Sequence, residues 1–149
     1  MSETTRIELT VLAKPVALSR QGRGQFGGQF KTPKTVQQIA RVVEAWRDAG
    51  CPAIEGKVPL TLVAAFFLDR PKSHYRTGKY AGELKPGMED AEPISKPDSS
   101  NLLKLIEDAL QSYAFDDDSQ FTTTFLTKAF VEPGQFARTE IVIRAKGSE

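Results

Sequence analysis

The sequence predicts an α+β fold: a single domain of order β-α-β-α-β-β, with a small mixed or antiparallel sheet and its helices packed on one face. Three observations carry this. Apolar residues recur at every second position near the start and in two runs near the end, which is the period of a strand. Two other stretches show helical spacing, and Pro, Gly, Ser and Asp cluster between the periodic segments. At 149 residues the chain is about one domain long and buries a core without disulfide or metal staples.

In chain order, "RIELTVLAKPVAL" alternates Ile7, Leu9 and Val11 against Glu8 and Thr10, a half-buried strand that Pro15 ends or edges. "SRQGRGQFGGQFK" has glycines and basic residues without a period and reads as a basic loop carrying Arg20 and Arg23. Thr32-Pro33 is a helix start, with Thr32 as N-cap and Pro33 in the first helical position. Val36, Ile39, Ala40, Val43 and Trp46 then form an expected core stripe up to Gly50. "KVPLTLVAAFFL" reads as a strand buried on both faces that runs into the basic loop "DRPKSHYRTGKY". Residues 78–97 have no period and are expected as a long surface loop. A second helix follows from about Ser99 to Tyr113, and two strands joined at Pro133-Gly134 complete the chain.

Composition excludes several classes. No apolar run approaches the roughly 20 residues that span a bilayer, and the start shows no secretory signal, so a cytoplasmic protein is expected. Cys51 and His74 each occur once, which rules out a disulfide framework and an intrachain Cys/His zinc cluster. Any metal must be held by oxygen. The net charge of +1 is uninformative, but basic residues cluster: Arg70, Lys72, Arg76 and Lys79 are interleaved with His74, Tyr75 and Tyr80. Basic plus aromatic side chains suit phosphates and unstacked bases.

The stretch "KPDSSNLLKLIEDALQSYAFDDDSQ" poses the chemical question. On a helical wheel Leu102, Leu103, Ile106, Ala109, Leu110 and Tyr113 share a broad face, with Asn101, Lys104 and Asp108 opposite. Each charged group has an ordinary explanation. Lys104 and Asp108 make an i,i+4 pair, Asp98 suits a helix start, and the triplet Asp116 to Asp118 suits a solvated turn. Taken together, a helix opening on Asp98 and a strand opening on Asp117 and Asp118 bring hard oxygen ligands from separate elements, and Mg²⁺ needs only one or two carboxylates plus water and phosphate.

These residues resemble the RusA family of Holliday junction resolvases, whose pattern is Asp-x-Asp-Asn-x-x-Lys-x-x-x-Asp-Ala-Leu followed by Asp-Asp-x-Gln. "RPKSHYRTGK" also resembles the preceding loop of phage-borne and prophage-borne members, and the order of elements agrees along nearly the whole chain. The resemblance implies a single RusA-like endonuclease domain over residues 1–149. It implies a homodimer that binds four-way or branched DNA in recombination and repair and nicks two strands symmetrically with Mg²⁺ or Mn²⁺. By position, the first motif aspartate is Asp98, the asparagine Asn101, the lysine Lys104, the helix aspartate Asp108 and the closing pair Asp117 and Asp118. Where the family has its second aspartate, this chain has Ser100.

On that basis Asp98 and Asp118, supported by Asp117, are expected to hold the cation, Lys104 to stabilise developing charge, and Asp108 to orient Lys104. Arg20, Arg23, Arg70, Lys72, His74, Tyr75, Arg76 and Lys79 are expected at the DNA. Ser100 and Glu107 fall within about 20° on the wheel, so Glu107 is a candidate to replace the missing carboxylate through an intervening water. An exposed helix former is its ordinary alternative. Two other readings stay open: a junction-binding protein whose cleavage is weak or lost through Ser100, and an α+β domain without a DNA role.

Overall fold

The computed structural model describes residues 4–18 and 32–146, in the expected order. The elements are β1 (Arg6–Val11), α1 (Pro33–Asp48), β2 (Leu60–Leu68), α2 (Ser99–Leu110), β3 (Phe121–Phe130) and β4 (Arg138–Ala145), with short 3-10 turns between β2 and α2 and before β3. The strands form one mixed sheet of order β1-β4-β2-β3. β2 and β3 run parallel, while β4 is antiparallel to both β1 and β2. Although β3 and β4 are consecutive and joined around Pro133-Gly134, they do not pair: β4 lies between β1 and β2.

Local chemistry sets the ends of α1 as the sequence indicates. Thr32 Oγ1 accepts the Thr35 amide at 3.3 Å, Pro33 follows it, and Gly50 takes φ +94° just past the last turn. The buried stripe is rotated from the expected one. Thr35, Gln38, Val42, Val43 and Trp46 face inward, whereas Val36 is exposed, because α1 turns toward α2 and β1 rather than presenting its most apolar arc.

Ile7, Leu9, Leu62, Ala64, Phe66, Ile141 and Ile143 line one face of the sheet and pack in a single cluster with Val42, Trp46, Leu102, Leu105, Ile106 and Ala109. Both helices therefore cover the same face. The opposite face carries Glu8, Glu140 and Arg144 around Val63, Val142 and Phe125, the last 58% exposed. No described helix is long and apolar enough to cross a membrane.

α2 ends at Leu110, three residues before the expected Tyr113. Gln111 leaves the helical region and Ser112 takes φ +73°, so the chain turns and Tyr113 packs its ring 5.1 Å from Trp46. Leu105 joins the buried side of α2, which the wheel face given above left out.

Candidate functional site

The start of α2 is held from below by β3. Lys128 lies on the helix-covered face, in register with buried Phe66, and its ammonium donates to the carbonyls of Ser95 at 2.7 Å and Pro97 at 2.9 Å. The next residue is Asp98, at the N-cap position with extended backbone. Its side chain makes no capping hydrogen bond. Asn101 Nδ2 donates weakly to Asp98 Oδ2 at 3.4 Å, and the carboxylate is otherwise presented to solvent. Helix capping thus does not account for this aspartate.

Asp98 and Asn101 line a groove of about 450 Å³ together with Thr32, Lys34, Lys96 and Pro97. The residues after β1 form another wall, tied to α2 by the Leu18 amide donating to the Asn101 carbonyl at 2.9 Å. The groove thus gathers the Asp98 carboxylate, two lysines and the first turn of α1 along one lining. Sequence reasoning passed over Lys34, Lys96 and Lys128. For Lys34 a signal was present: a cation in the first turn of a helix opposes the macrodipole and so asks for another reason to be there.

The other end of α2 meets the "DDDSQ" segment, where Gln120 is the organiser at 8% exposed. Its Oε1 accepts the amides of Asp116 at 3.1 Å and Asp117 at 2.8 Å, while Nε2 donates to the carbonyls of Gly56 at 2.9 Å and Val58 at 3.0 Å. Asp117 caps the short turn Asp118–Gln120 by accepting the Ser119 amide, and these hydrogen bonds hold its carboxyl below the ordinary value of 3.8. Asp118 acts instead on α2. Partial burial, then the charge of Asp118, push Glu107 above the ordinary 4.5; nearby Lys104 pulls it down and Asp108 pushes it up. Glu107, absent from the motif, thus feels the charges of Asp118 and Lys104, whereas Ser100 is exposed about two turns earlier.

The second basic loop divides into a buried root and an exposed hairpin. Arg70, 9% exposed, donates from Nε to the Val131 carbonyl at 2.6 Å and from a terminal nitrogen to the Met88 carbonyl at 2.7 Å. The same nitrogen lies 3.3 Å from His74 Nδ1, and the guanidinium sits 5.7 Å from the Phe130 ring, which His74 meets edge-on. The expected phosphate contact by Arg70 is corrected here: burial and carbonyl bonds commit its guanidinium to fixing the loop. His74 is half-buried beside it, and Tyr75 pairs with Leu84. Lys72, Arg76 and Lys79 are exposed. Arg20 and Arg23 lie outside the described residues.

A family model described as Endodeoxyribonuclease RusA matches residues 13–144. The chain belongs to the RusA family. Among curated proteins, it is also similar to one named "Uncharacterized protein YqaN" from Bacillus subtilis (strain 168), 28% identical over a 144-residue alignment that covers 93% of this chain and 95% of that one.

The motif positions of this RusA-family chain bear on whether a divalent cation fits. The donors are all oxygen, as Mg²⁺ and Mn²⁺ prefer, and the Asp98 carboxylate is not used by the helix. The carboxylates are strung along α2 rather than gathered: Asp98 and Glu107 are nine positions apart, about 13.5 Å of helix. Among the described residues no three of His, Cys, Asp and Glu come together to hold a metal. A cation at Asp98 therefore fits as Mg²⁺ fits elsewhere, with few carboxylates and with water and phosphate oxygens as the remaining ligands.

Proposed function

We propose that this RusA-family chain is a divalent-metal-dependent endodeoxyribonuclease that resolves four-way or otherwise branched DNA as a homodimer. The observation that carries the reading is the Asp98 groove: a carboxylate that makes no helix-capping bond shares its lining with Lys34, Lys96 and the first turn of α1, in a chain matching the RusA model over residues 13–144. When bound, Mg²⁺ or Mn²⁺ would polarise the scissile phosphate and supply an activated water.

This chain's residues have the remaining roles. Asp98 serves the cation in the groove, and Asp118, presented by the turn that Asp117 caps at the other end of α2, is assigned to it by its motif position. Lys34 and Lys96 hold the phosphate backbone in the groove. Lys104, exposed on α2, stabilises charge developing on the phosphate, and Asp108 and Glu107 set its electrostatic surroundings. Glu107 also supplies negative charge through water where Ser100 supplies none.

The decisive experiment is cleavage of a synthetic four-way junction with and without Mg²⁺, beside a gel-shift in Ca²⁺ or chelator. Two symmetric nicks that need Mg²⁺ support the reading, and their absence with intact binding favours the alternative. That alternative is a junction-binding protein with weak or lost cleavage, favoured by one observation: Ser100 leaves Asp98 without a neighbouring carboxylate.

A further inference from the structure

We propose that the hairpin at residues 74–85 reads the branch point itself: Tyr80, with the Arg76 guanidinium stacked on it, takes an unpaired base while Lys72, Lys79 and Lys85 engage flanking phosphates. The inference rests on the branched-DNA reading and assigns the structural feature of DNA that this element selects.

The hairpin is built to be stiff. The Arg76 amide donates to the Glu83 carbonyl at 2.8 Å, the Lys85 amide donates to the His74 carbonyl at 2.9 Å, and Tyr75 bridges Leu84 antiparallel between them. At the tip Gly78 and Gly82 take φ +69° and +94°, and the Ala81 and Glu83 amides close onto the carbonyls of Gly78 and Tyr80 at 3.1 Å each. Arg70 bonds the root to the Met88 carbonyl and to the Val131 carbonyl just beyond β3.

Yet the short turns at Lys72–His74, Gly78–Tyr80 and Met88–Asp90 bury none of their residues. Core packing does not explain why a buried arginine anchors this segment. What the anchoring achieves is to present its tip. There the Arg76 guanidinium carbon lies 3.9 Å from the Tyr80 ring centre and Lys79 Nζ lies 5.1 Å from it, while Tyr80 stays 40% exposed. Lys72, Arg76, Lys79 and Lys85 outnumber Glu83, and none of the four is in an ion pair among the described residues. Unpaired cations around a propped aromatic ring are the chemistry that binds backbone phosphate and a free base face together. In a duplex arm each base face is already stacked on its neighbours. Such a face opens at a branch, so the ring discriminates branched from linear DNA.

The test uses an immobile four-way junction carrying 2-aminopurine either at the branch point or within an arm, bound in Ca²⁺, with a linear duplex of the same sequence as control. The parent protein is expected to change the fluorescence of the branch label and not of the arm label. Tyr80→Ala should abolish that change and weaken junction binding about tenfold while duplex binding stays within about twofold; Tyr80→Phe should retain both. Arg76→Gln should reduce the fluorescence change, and Lys79→Ala should lower the slope of log K against log salt by about one. A Tyr80→Ala protein with the parent's affinity and branch signal overturns the inference alone, as does equal weakening on junction and duplex. A parent protein that does not prefer the junction removes the branched-DNA reading, and this inference with it. Because Tyr80 is exposed, the variants should melt as the parent does, and a matched melt assigns any loss to the DNA contact.

Discussion

Lys128 on β3 donates to the carbonyl of Pro97 at 2.9 Å, one residue before Asp98, so an edge strand fixes the start of the acidic helix. Lys128→Met should lower junction cleavage about tenfold through misplacement of Asp98, with junction affinity within about twofold of the parent. Gel-shift and single-turnover cleavage read the two effects separately, and equal losses in both would assign Lys128 to the DNA instead.

Asp98→Asn and Asp118→Asn should each abolish Mg²⁺-dependent nicking while leaving junction binding equal or tighter, since each removes a cation ligand and a charge that repels phosphate. Full cleavage by either variant would sink its assignment.

Glu107 gives a pH signature. Its carboxyl is raised, first by burial and then by Asp118, so the folded protein holds that proton more tightly than the unfolded chain. The associated cost is absent below the ordinary 4.5 and grows as pH rises through the raised value. In metal-free protein, Glu107→Gln should melt higher than the parent at pH 7 and equally at pH 4 in thermal scans. In cleavage assays it should also raise the Mg²⁺ concentration for half-maximal rate; an unmoved titration would end the idea that Glu107 compensates for Ser100.

Gln120→Ala should destabilise the protein by about 2 kcal/mol or more in urea unfolding, because it strips partners from two amides and two carbonyls around the Asp117 turn. A loss of cleavage beyond that predicted from the folded fraction would show that the turn also places Asp118.

The salt dependence of junction binding should come from the exposed cations of the basic loop. Changing Lys72 and Lys79 together to Ala should lower the slope of log K against log salt by about two, whereas Arg70→Met should destabilise the hairpin instead. An unchanged slope in the double variant would remove the hairpin from the interface.

The order of elements, the cap at Thr32, the stop at Gly50 and the acidic helix were legible in the sequence because local backbone chemistry and apolar period determine them. The motif residues were legible as a pattern, since side-chain type and spacing persist whatever lies across from them. Tertiary structure alone decided that β4 pairs between β1 and β2 rather than beside β3, because pairing is chosen by which faces bury together. It also decided that Arg70 is buried while Arg76 is exposed, two arginines of one basic run. Carbonyls of Met88 and Val131, 18 and 61 residues away in the chain, converge on the first and, among the described residues, none on the second. Likewise it brought the charge of Asp118 to bear on Glu107 and Lys128 beneath the start of α2. Such contacts are set by the packing of distant segments, and no local period encodes them.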